Sequence, residues 1–168
     1  MSNITNTPKK NGPIISALRN FFEHRALWFY LIYDEAAKEG LDLEPIARKA
    51  IRRCGVYHGS LHPIDEKPGS LPELKKNLFG YVGRQIFEMK IVENTEETLG
   101  VDFHYCPLVN AWKKQGCSDE LIDTLCDVAM CGDRGIAENY GAVVELPKTI
   151  AKGDGVCELR FRKVKADA

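Results

Sequence analysis

Hydrophobic and polar positions change period several times along the chain, and each change marks an element. From Ile14, the residues Ile15, Leu18, Phe22, Phe29 and Tyr33 recur at helical intervals as far as Gly40, a candidate C-cap, which predicts one long helix or two. Asp42 can cap a second helix, with Glu44 and Pro45 in its first turn and a stripe of Leu43, Ile46, Ala47, Ala50 and Ile51 carrying it to about Cys54. The glycines of the stretch from Gly55 to Pro63 then read as a helix exit or loop, followed by a polar connection to Gly69. Ser70-Leu71-Pro72-Glu73 has the spacing of a capping box and predicts a third helix from Pro72 to about Tyr81. After Gly83 the period shortens to two. Phe87, Met89 and Ile91 alternate with Glu88 and Lys90, a polar turn covers Asn94 to Glu97, and Val101, Phe103 and Tyr105 alternate with Asp102, His104 and Cys106 in an antiparallel partner strand.

The alternation breaks at Cys106-Pro107. Proline suits the first position of a helix, and Leu108, Ala111 and Trp112 follow, so a helix is predicted to end near Gly116. Ser118 caps the next one, with Asp119 and Glu120 in its first turn and two apolar stripes, Leu121, Leu125 and Val128 beside Ile122, Cys126, Ala129 and Met130. Cys131-Gly132-Asp133-Arg134-Gly135 reads as an interruption before a short helical piece from Ile136 to Tyr140. A second hairpin, Ala142 to Ile150 and Val156 to Val164 around Lys152-Gly153-Asp154-Gly155, puts Cys157, Leu159 and Phe161 on its buried face. The order implies an α+β fold, with a four-stranded antiparallel sheet of two hairpins covered by helices on one face. Residues 1–13 are expected to be a loose tail, and residues 14–168 a single domain.

Composition narrows the partners. The formal net charge of -1 leaves no electrostatic footprint for nucleic acid, and no stretch approaches a membrane span. The N-terminus lacks an apolar signal region, which reads as a cytoplasmic, reduced protein despite six cysteines. A small-molecule substrate is the expected partner. The aromatic stripe of the first helix, with Trp28 and Tyr30, is expected mainly to be core, though it also offers a face for a homo-oligomer.

Cys106 is the first candidate for chemistry, since unpaired N–H groups at the helix start and the positive end of its dipole favour a thiolate there. A nucleophilic cysteine needs a proton acceptor. His104 is nearest in sequence, although residues two apart on a strand stand about 6.5 Å from each other, so the strand would have to bend. Asp133 is the rival acid or base, and Arg134 beside it suits a substrate carboxylate; the plainer reading of the pair is a solvent-exposed turn. Cys126 and Cys157 read as small core residues or pocket walls. No cysteine spacing is that of a zinc site, and His58 and His62 could share a metal only on one helix, so no metal ligand is assigned and the cofactor is left open.

Phe103-His104-Tyr105-Cys106-Pro107-Leu108, Leu125-Cys126, the run from Gly132 to Glu138, and Ile150 to Asp154 followed by Cys157 to Phe161 together resemble the L-2-amino-thiazoline-4-carboxylic acid hydrolase family. The resemblance covers about residues 40 to 165 and carries over to Cys106, Cys126, Asp133 and Cys157. It implies hydrolytic opening of a small cyclic amidine or thiazoline ring, the named substrate giving N-carbamoyl-L-cysteine. Cys106 would attack or polarise the ring carbon, Asp133 would handle protons, and Arg134 or another arginine would bind the carboxylate. A water attacking from an Asp133-held or metal-held position is the competing mechanism. The closing Gly-Asp-x-x-Cys-x-x-x-Phe element is also similar to small-molecule-binding domains of the vinyl-reductase type, which implies a non-catalytic binding or sensor domain as the alternative.

Overall fold

The computed structural model describes residues 2–65 and 67–164. Its first helix, α1, is one uninterrupted element, Pro13–Lys38, and Gly40 beyond it takes a positive φ of 72° to turn the chain. Helix α2 spans Glu44–Ser60, and Asp42 accepts a hydrogen bond from the Glu44 N–H at 3.1 Å. It therefore continues through Gly55 and past the predicted exit at Cys54, which places His58 on the helix and His62 beyond it. Helix α3, Leu71–Leu78, carries the full capping box of Ser70 and Glu73. A short helix α4, Tyr81–Ile86, replaces the last turn predicted for α3.

Strand β1, Met89–Asn94, pairs antiparallel with β2, Thr98–Phe103. Helices α5, Pro107–Lys114, α6, Asp119–Ala129, and α7, Cys131–Glu138, follow. Strand β3, Ala142–Glu145, leads through a 3-10 turn at Ile150–Lys152 to β4, Cys157–Lys163. The sheet order is β1-β2-β4-β3, so β4 lies between its hairpin partner and the first hairpin. Seven α-helices and this antiparallel sheet, counted among the described residues, make the fold α+β, as the order of periods predicts. None of the described helices is long and apolar enough to cross a membrane.

Leu99, Val101, Leu159 and Phe161 point from the sheet into a core shared with Leu71 and Leu74 of α3. On the opposite face Arg160 pairs with Asp102 at 2.7 Å and Arg162 with Glu145 at 2.7 Å. A second core joins α1, α5, α6 and the 3-10 turn around Trp112, whose indole N–H donates to the Ala26 carbonyl at 3.0 Å. Cys106, Cys126 and Cys157 border this second core.

Glycine sets the position of α7. A Cβ on Gly55 would lie 1.9 Å from the Gly132 carbonyl oxygen, and one on Gly135 would lie 2.2 Å from the Arg52 carbonyl oxygen. These glycines let α2 and α7 approach backbone to backbone, which is why Gly132-Asp133-Arg134-Gly135 is helical rather than an interruption.

Residues 2–12 form no helix or strand but lie along the rest of the chain instead of hanging free. Ile4 is 3% exposed, and the Lys113 ammonium donates to its carbonyl. The Lys9 and Lys10 N–H groups both donate to Glu88 Oε1 at 2.7 Å, an oxygen that also meets Arg19 at 3.0 Å in a buried ion pair.

Candidate active site

The β2-to-α5 corner supplies Cys106. Tyr105 is buried with its ring 4.2 Å below the Arg19 guanidinium carbon, and the chain then turns so that Cys106 occupies the N-cap of α5 with extended backbone angles. Asn6 brackets this residue: its amide donates to the Cys106 carbonyl at 2.8 Å, and its Oδ1 accepts from the Cys106 N–H at 2.9 Å. Both polar backbone groups of the cap residue are thus held by a side chain about a hundred residues away in sequence.

Four candidates predicted from sequence come together. Cys106 senses the charge of Asp133, and Cys126 and Cys157 each sense Cys106. They come from four separate elements or corners, α5, α6, α7 and the start of β4. Each is only partly exposed and closely surrounded by protein. His104 does not join them. It is exposed at the strand end, and its N–H donates to the Glu88 carbonyl at 3.4 Å.

The protonation states depart from the sequence expectation. Burial pushes the Cys106 thiol up; the Leu108 and Val109 N–H groups and Arg25 pull it down, but less strongly. No hydrogen bond of ordinary geometry from the helix start closes onto the sulfur, which is consistent with burial prevailing. Burial also raises Cys126 well above the ordinary range, reinforced by Cys106 and Cys157. Cys157 is pushed up to about 12, chiefly by burial, even though its sulfur accepts the Ile150 N–H at 3.2 Å. At neutral pH the three sulfurs are thiols, and the helix dipole does not make Cys106 a thiolate. Asp133 is pushed up to about 6 by burial, against the opposing pull of Arg25, its own N–H and Arg134. A carboxyl of that strength exchanges protons near neutral pH.

Arg134 is already engaged. Its guanidinium meets Asp127 Oδ1 at 2.7 Å, the Asp127 carbonyl at 3.2 Å and the Cys131 sulfur at 3.7 Å. Arg48 holds the other Asp127 oxygen at 2.6 Å and also pairs with Glu44. These groups line a cleft of about 420 Å³, which reaches Cys126 but includes neither Cys106 nor Asp133. Both of its arginines are engaged in ion pairs, which leaves Lys152 as its unpaired cation among the described residues.

Arg25 is the group that the sequence reading missed. It is an exposed residue of α1 without an ion-pair partner among the described residues, resting over the Phe22 ring at 5.3 Å, and its charge acts on both Cys106 and Asp133. Nothing local in the sequence distinguishes it from any other charged residue on a helix. Among the described residues no three His, Cys, Asp or Glu side chains are grouped to hold a metal ion.

A comparison with curated proteins returns no match. The L-2-amino-thiazoline-4-carboxylic acid hydrolase family signature, by contrast, matches residues 19–161, which takes in α1 from Arg19 onward with Arg25, the Cys106 corner, Asp133 and Cys157. With that span covering most of its length, the chain belongs to the L-2-amino-thiazoline-4-carboxylic acid hydrolase family.

Proposed function

We propose that the protein hydrolyses a small cyclic amidine bearing a carboxylate, such as L-2-amino-thiazoline-4-carboxylate, with Asp133 as the proton-transfer group. The observation that carries this reading is the juxtaposition of Asp133, its carboxyl raised to about 6, with Cys106 under the charge of the unpaired Arg25. Arg25 binds the substrate carboxylate, a task for which Arg134 has little remaining capacity. A water oxygen bonds to the ring carbon between sulfur and nitrogen, and one of its protons passes through Asp133 to the ring nitrogen. The carbon–sulfur bond then breaks as the carbonyl forms, and the hydroxyl proton passes through the same carboxylate to the departing sulfur. The product is N-carbamoyl-L-cysteine. Cys106 lines the site as a thiol and orients the ring, while Cys126 and Cys157 form the wall behind it.

The test is release of a thiol from L-2-amino-thiazoline-4-carboxylate, followed with a chromogenic disulfide. The wild-type protein should release it, Asp133→Asn should lose about 10²–10⁴-fold in kcat, and Cys106→Ser should stay within about tenfold of wild type. Because the base form of Asp133 is required, kcat/KM should fall as pH drops below about 6. Abolition of turnover by Cys106→Ser would return the reaction to a cysteine nucleophile, assisted by the Leu108 and Val109 N–H groups. Calorimetric binding of the substrate by the wild-type protein with no thiol released would favour the binding or sensor reading.

A further inference from the structure

Helix α1 is apolar on two opposite faces. Arg19 and Ala26, seven residues apart, are buried against the rest of the chain. Directly across the helix, Ile14, Ala17, Phe21, His24, Trp28 and Leu31 are all exposed. Their spacing alternates three and four residues, the a and d positions of a heptad repeat, and Glu35 and Lys38 end the stripe with a salt bridge at 2.7 Å. Phe21 is 72% exposed and Trp28 63%, which is unusual for the largest apolar side chains. The indole N–H of Trp28 donates to His24 Nε2 at 3.1 Å, so covering the stripe need not strip the indole of its hydrogen-bond partner.

We infer that α1 pairs with α1 of a second copy of this chain along this seam, forming a two-fold symmetric dimer. A heptad stripe is self-complementary, because the same a and d residues that project from one helix fit between those of an identical one. The exposed apolar side chains of α1 present on the order of 600 Å² per copy, so a pairing that covers all of them removes at most about 1,200 Å², the low end of the range for stable interfaces. The stripe spans roughly 26 Å of helix at 1.5 Å per residue, and its face is opposite the buried one, so pairing requires no rearrangement within either copy.

Light scattering on the eluting full-length chain should give twice 18.9 kDa. Phe21→Lys combined with Trp28→Lys places like charges in the seam for either relative direction of the helices, and should give 18.9 kDa with an unchanged far-ultraviolet circular dichroism spectrum. Acrylamide quenching of the unmodified protein supplies a second measurement. Trp112 is already 1% exposed, so quenching reports Trp28 and should decrease as protein concentration rises. A wild-type monomer at every concentration would overturn the inference, as would a double variant that stays dimeric or quenching independent of concentration. A monomer that instead floats with phosphatidylcholine vesicles would assign the stripe to a lipid surface and overturn it equally.

Discussion

Replacing Asp133 with asparagine should make the protein more stable and inactive at once. The carboxyl stands at about 6 in the folded chain against its ordinary 3.8. Between those values the folded state holds a proton that the unfolded state releases, so wild-type stability falls as pH rises through the window and is fully penalised above about 6. At about 1.4 kcal/mol per pH unit the difference corresponds to about 3 kcal/mol. Asp133 is partly exposed, and solvent screening reduces the expected gain to about 1–2 kcal/mol. Asparagine keeps the shape and removes the charge, so the gain should appear as a melting midpoint roughly 3–6 °C higher at pH 7.5. Urea unfolding of both proteins at pH 7.5 and pH 4 is the assay. The gap should close at pH 4, where folded wild type is protonated as well. An Asp133→Asn protein less stable than wild type at pH 7.5, or a gap independent of pH, would refute burial as the cause of the raised value.

Three further outcomes are expected. Arg25→Gln should raise KM for a carboxylate substrate about 10–100-fold with a smaller loss in kcat, and should move the acid limb of the pH profile upward, since Arg25 holds Asp133 down; steady-state kinetics from pH 5 to 8 measures both. Gly55→Ala should cost about 3 kcal/mol in a urea titration, because its methyl group would lie 1.9 Å from the Gly132 carbonyl oxygen, and turnover should fall with it as Asp133 is displaced. Iodoacetamide at pH 7.5 should modify the exposed Cys54 well before Cys106, Cys126 or Cys157, as read by peptide mass spectrometry; fastest labelling at Cys106 would establish a thiolate there.

Local chemistry wrote the corners of this fold plainly into the sequence. Pro107 does start α5, although β2 already ends at Phe103, and Ser70 and Ser118 cap the helices that their neighbours announce. Glycine was ambiguous. The same residue that permits a turn also permits two helix backbones to touch, and only the meeting of α2 with α7 shows which use Gly55 and Gly135 serve. The strength of a burial effect was equally invisible. A helix N-terminus contributes about 0.3–1 kcal/mol to an anion, and enclosure of Cys106 by protein outweighs it. Trp28 reads as core by composition, yet whether a stripe faces inward depends on which of two apolar faces the chain uses first. Arg25 exerts its charge on Cys106 and Asp133 only because α1 packs against α5, a relation with no trace in sequence spacing.

The bracket that Asn6 places on Cys106 makes the first dozen residues a tethered ligand of the remaining chain. Their attachment rests on hydrogen bonds from Asn6, Lys9 and Lys10 and on the buried Ile4, not on membership in the sheet. The geometry of the α5 start is therefore set in part from outside the stretch that the family shares, by a segment that also contributes Ile4 to the second core.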